Sequence, residues 1–64
     1  MTVGMILELD IIGADTEVII MRGTKVVARG NWYIDAVQDH VTEEAKQFKW
    51  LENDEVIIDL KEAV

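Results

Sequence analysis

Two short runs, TEVIIM at 16–21 and EVIIDL at 55–60, are apolar at adjacent positions and not only at alternate ones. That is the feature that most restricts the fold. Their residues are mainly β-branched aliphatics, which fit a pleated sheet. A strand apolar on both sides normally has both faces covered. Two more segments read as strands beside them. In MILELDII, Met5, Leu7, Leu9 and Ile11 alternate with Ile6, Glu8, Asp10 and Ile12, a period of two with one apolar face and one mixed face. KVVAR, Lys25 to Arg29, follows TEVIIM after the tight connection Arg22-Gly23-Thr24. A loop of about three residues there sets Met21 against Lys25, Ile20 against Val26, Val18 against Ala28 and Glu17 against Arg29. Val18, Ile20, Val26 and Ala28 then share one face, and Glu17–Arg29 is an opposite-charge pair on the other.

The second half reads two ways. Ile34, Val37, Val41, Ala45, Phe48 and Leu51 recur every three or four residues, with neither Gly nor Pro from Asn31 to Leu51, which predicts a helix over 32–48 capped by Asn31. The acids there precede Lys46 and Lys49, the order the helix dipole favours. The competing reading makes Lys46 to Glu52 a strand that turns through Asn53-Asp54-Glu55 and sets Trp50 against Ile58, Phe48 against Leu60 and Lys49 against Asp59. A short helix over 32–41 followed by that hairpin lies between them. The expected fold is α+β and strand-dominated: a three-stranded antiparallel meander, one helix and a C-terminal strand, in a single domain over 1–64. The alternative is all-β, five short strands in a barrel-like or open meander.

Size sharpens the question of what covers the second faces. A domain of about 60 residues buries only about 60% of the surface its unfolded chain exposes. This chain of 64 residues has no Cys and no Pro to staple or stiffen it, and half its residues are hydrophobic. One helix covers one sheet face. Ile6, Ile12, Ile19, Met21, Val27 and Ile57, on the mixed faces, are therefore candidate interface residues, and a homo-oligomer, most simply a dimer, is expected.

Chemistry-bearing motifs are scarce. Ser and Cys are absent, and none of the four threonines has a histidine paired with it, so nucleophilic catalysis has no foothold. No Walker or GxGxxG fingerprint is present. The lone His40 offers one nitrogen ligand where a structural zinc site takes four ligands, and the acids lack the carbonyl-rich glycine bend that calcium uses. No catalytic, cofactor or metal role is expected. Thirteen acids against six bases give a net charge of −7. Arg22, Lys25 and Arg29 beside Trp32 and Tyr33 are too few to make direct nucleic-acid binding the expectation. The helical reading instead aligns Asp35, Asp39 and Glu43, with Glu44 beside them, as a candidate acidic face. Two functions follow: a non-enzymatic, self-associating acidic protein-interaction module, or an acidic mimic of nucleic acid that inhibits a basic nucleic-acid-binding protein. MTVGMILELD has no basic leading region, and Glu8 and Asp10 interrupt its apolar stretch, so neither a secretory signal nor membrane insertion is expected and the location expected is cytoplasmic.

Overall fold

The computed structural model describes residues 1–62. Its elements are α1 (Val3–Leu7), β1 (Glu17–Arg22), β2 (Lys25–Gly30), α2 (Asp35–Gln38), β3 (Ala45–Leu51) and β4 (Glu55–Leu60). The fold is mixed α+β: a few short helices against a four-stranded mixed sheet that does not close on itself, in the order β2-β1-β4-β3. The two hairpins, β1–β2 and β3–β4, are antiparallel, and β1 and β4 join them in parallel. TEVIIM and EVIIDL are thus the two central strands, with Val18 beside Val56 and Ile20 beside Ile58. Adjacent apolar positions mark strands flanked on both edges.

The segment expected as a first strand is instead a helix followed by turns. Thr2 caps α1, its hydroxyl accepting from the Met5 amide at 3.3 Å. Val3 and Ile6, three apart, are fully buried, Leu7 packs beside them, and Met5 and Leu9 face outward. A nearly continuous apolar run satisfies both a period of two and a helical period. The cap and the shape of the core decide between them. The meander of three strands is corrected accordingly, and so is the five-stranded alternative.

The long helix is also corrected. Helix α2 has four residues, and its N-cap position, Ile34, offers no side-chain cap. Asn31, expected to cap it, donates to the Ala14 carbonyl at 2.5 Å. From Ala45 the chain is strand. The arrangement is the intermediate one, a short helix and then a hairpin. Phe48 lies opposite Ile58, Lys49 opposite Ile57 and Trp50 opposite Val56, two residues away from the expected register. Asn53 and Asp54 take positive φ (66° and 56°) in the turn, a conformation that short polar side chains tolerate. Much of the helical spacing proves incidental, yet Ile34, Val37, Ala45 and Phe48 all reach the core, from a helix and a strand.

The first hairpin closes more tightly than expected. Arg22 pairs with Lys25, leaving only Gly23 and Thr24 in the turn, with Gly23 at φ 65°. The register then slips: Met21 lies opposite Val26 but Ile20 opposite Ala28. Val27 is the extra residue of a β-bulge. The bulge exchanges two expected faces, since Val27 packs against the core and Val26 is 47% exposed.

One core unites Val3 and Ile6 of α1, Val37 of α2, and Val18, Ile20, Val56, Ile58 and Leu60 of the central strands. Val3 and Ile6 of α1 and Val37 of α2 are buried there together, so the helices form a layer on one side of the sheet. No helix among the described residues is long and apolar enough to cross a membrane.

Candidate functional site

Strand register fixes what the sheet presents on the side away from the helices. A row across it reads Arg29, Ile19, Ile57, Lys49; beside it lie Glu17, Glu55 and Leu51, and on the other side Val26, Met21, Asp59 and Gln47. Ile19 and Ile57 form an apolar centre, but Ile19 is only 8% exposed. Arg29 explains this. Its guanidinium donates to Glu17 at 2.8 Å and lies 3.9 Å from Glu55, two strands away, so its stem crosses β1 on this face. The hydrogen bond from Arg29 holds the Glu17 carboxyl below its ordinary value, and contact with Glu55 adds to this. Gln47 donates to Asp59 at 2.9 Å on the same side.

Of the expected interface residues, Ile19, Met21 and Ile57 lie on this face, Met21 and Ile57 half-buried. Ile6 does not: it is fully buried in the core. Ile12 and Val27 pack against the core cluster, so neither is a face residue. Val26 belongs to the face in place of Val27.

The expected acidic face does not form as a row, because the helix that was to align it ends at Gln38. Asp35 and Asp39 are exposed one turn apart. Glu43 is engaged elsewhere. It accepts from Arg22 at 2.6 Å and meets the His40 ring, and those two hydrogen bonds, His40 first, hold its carboxyl below the ordinary value. Glu44 pairs with the N-terminal ammonium at 3.1 Å. These contacts pin the N-terminal segment, whose Val3 and Gly4 amides donate to the Glu43 and Val41 carbonyls. Among the described residues no three His, Cys, Asp or Glu side chains converge as a metal site.

The aromatic residues are more exposed than core duty requires. Only Phe48 packs against the core cluster. Trp32 is 40% exposed and Tyr33 54%, and their rings meet edge to face with centroids 5.6 Å apart. Trp32 borders a groove of about 420 Å³ on the helical side, formed with Met5, Leu7 and Val41 and closed by Glu8 and Gln38. Gln38 donates to the Trp32 carbonyl at 2.5 Å, which ties α2 to this wall. Leu9 and Ile11 are exposed as well. The sequence held a signal for this surface in Thr2, a capping residue that turns Met5 outward. Arg22 and Arg29, expected near these aromatics, are drawn to carboxylates instead.

Charge divides along the same line. The helical layer and its loops, residues 1–16 and 31–44, hold Glu8, Asp10, Asp15, Asp35, Asp39, Glu43 and Glu44 and no Lys or Arg. Every one of the six bases lies in the sheet half, where six acids balance them. The segments that carry both helices and line the groove thus hold the full net charge of −7. Comparison with protein-family models, with curated proteins and with solved structures finds no match.

Proposed function

We propose that the chain is a small, non-enzymatic, acidic protein-interaction module whose working surface is the helical layer. The observation that carries this is the coincidence of the entire net negative charge with exposed Met5, Trp32 and Tyr33 in the segments that build the helical layer and its loops. A solubilising charge has no reason to avoid the sheet side, whereas an apolar surface set in one sign of charge selects its partners and speeds encounter. A pure nucleic-acid mimic needs the carboxylates but not the apolar groove. A photo-crosslinking residue placed at Tyr33, and in a second protein at Lys25, tests the reading in the source cell. Protein adducts from the first position alone are expected. Adducts from neither position, or equally from both, overturn it.

Self-association as a dimer is the second reading, favoured by the Ile19–Ile57 pair at the centre of a sheet face that no helix among the described residues covers. That face belongs to the charge-balanced half, so two copies meet there without the repulsion that the helical layers would bring. Light scattering coupled to size exclusion is expected to give twice the chain mass at micromolar concentration, and Ile57→Glu to return it to one. A wild-type monomer at that concentration removes this reading.

A further inference from the structure

We infer that the groove bordered by Met5, Leu7, Trp32 and Val41 seats a cationic amphipathic helix of a partner protein, with its apolar side against Met5 and Trp32 and its Lys or Arg residues toward Glu8. This deepens the reading of the helical layer as the working surface and rests on it.

Three properties of the groove select that occupant. The first is charge. Glu8 is the charged residue lining it, and five carboxylates of the layer, Glu8, Asp10, Asp15, Asp35 and Asp39, make no ion pair among the described residues. A second copy brings the same seven acids on its own helical layer, and nucleic acid brings phosphates, so both are repelled. A segment rich in Lys or Arg is attracted.

The second property is the apolar wall. Met5 is 57% exposed and Trp32 40%. Methionine adapts its shape to varied apolar partners, and tryptophan is among the side chains that most often dominate binding energy. Charge alone recruits any polycation, but this wall adds a preference for a polycation with an apolar stripe.

The third property is the backbone. Part of the main chain around the groove is paired internally: Gly4 donates to Val41, Glu8 to Gly4 and Val41 to Gln38. A peptide that docks as an added strand needs a free sheet edge, and the groove is lined from α1, α2 and their loops with no strand residue, whereas a helix satisfies its own main chain and offers only side chains. Twelve residues of helix span about 18 Å, which matches the molecule's shorter dimensions of 20 and 18 Å.

Calorimetric titration of the full chain with synthetic peptides of about 14 residues tests this. One peptide places Leu and Lys at helical spacing. A second scrambles the same composition, and a third replaces Lys by Glu. The amphipathic Leu/Lys peptide is expected to bind about tenfold or more tightly than the scrambled one, with the Glu peptide not binding. Met5→Ser, at an exposed position that leaves the core intact, and Trp32→Ala are each expected to weaken binding about tenfold, and Lys49→Ala on the far face to leave it unchanged. Equal affinity for the scrambled peptide, or indifference to Met5→Ser, overturns the groove as the seat. A fall from two chain masses to one on Met5→Ser shows that a second copy occupies it. Failure of the peptides while Tyr33 still crosslinks removes the cationic helix alone; failure of both removes the working surface too.

Discussion

Arg29 lies directly opposite Ile19, yet its guanidinium reaches back along the neighbouring strand to Glu17, 2.8 Å away. The charge pair that the sequence predicts across the first hairpin therefore exists, but one row out of the expected register. The two-residue turn shifts the pairing, and the bulge at Val27 shifts it again. The result keeps Val18, Ile20 and Ala28 inward and carries Val26 to the outside. Val26 and Val27 are chemically identical neighbours with opposite surroundings, so one charge scan separates them. Val27→Glu is expected to cost about 2 kcal/mol or more, because it sets a carboxylate against the core. Val26→Glu is expected to stay within about 0.5 kcal/mol of wild type. Urea unfolding of the two variants reads the difference, and equal losses contradict the bulge.

The N-terminal segment offers a similar contrast. As a strand it would turn Met5 inward and Ile6 outward. As α1 it buries Ile6 completely and leaves Met5 57% exposed. Ile6→Ala is expected to cost about 2–5 kcal/mol through lost burial and the cavity left behind. That is a large share of what a chain of this size holds in reserve. Met5→Ala is expected to change stability by no more than about 0.5 kcal/mol. The reverse order of losses, measured by thermal or urea unfolding, restores the strand.

These cases show what was readable. TEVIIM, KVVAR and EVIIDL are strands because β-branched runs bounded by Gly, Asn and Asp admit little else. Their partners were hidden. Nothing local announces that residues 16–21 lie parallel to residues 55–60, and a strand apolar on both sides reads equally as one awaiting a second chain or as the centre of its own sheet. In MILELDII almost every residue is apolar, so periodicity carries no information, and the single Thr2 cap outweighs it. From Ile34 to Leu51 the helical spacing describes a helix only over Asp35–Gln38, because Trp50 against Val56 and Phe48 against Ile58 draw the second half of that stretch into the sheet. The candidate site was the least legible part. The candidate acidic face depended on a helix that stops at Gln38, whereas the groove emerges only when α1, Trp32, Gln38 and Val41 are brought together.

Gly30 marks the exit from β2. Its φ of 144° lies where side-chain-bearing residues are rarely found, and a Cβ there collides with the Cδ1 of Ile34, which packs on the core just before α2. Gly30→Ala is expected to destabilise by about 1–3 kcal/mol through backbone strain and displacement of Ile34. Gly13→Ala meets only an ordinary contact with the Thr16 hydroxyl and is expected to leave stability unchanged or slightly raised. Denaturation midpoints of the two variants check this, and a neutral Gly30→Ala means that the strand exits differently.

Acid should weaken the molecule through two identified carboxylates. The hydrogen bond from Arg29 lowers the affinity of Glu17 for its proton, and those with His40 and Arg22 lower that of Glu43, both from an ordinary value of 4.5. A carboxyl whose folded value is depressed contributes stability that is fully present above its unfolded value and is lost as pH falls through the folded one. Wild type is therefore expected to hold its melting temperature from neutrality down to about pH 5 as far as these two groups are concerned, and to lose their contribution below 4.5. A Glu17→Gln, Glu43→Gln double variant is expected to melt below wild type at pH 7 and to converge on it in acid, since it has no protons to take up at these sites. Both pairs reach the surface, so added salt should narrow the gap at pH 7. Melting curves for the two proteins that run parallel from pH 7 to pH 2 would show that Arg29 and Arg22 do not hold these carboxylates in solution.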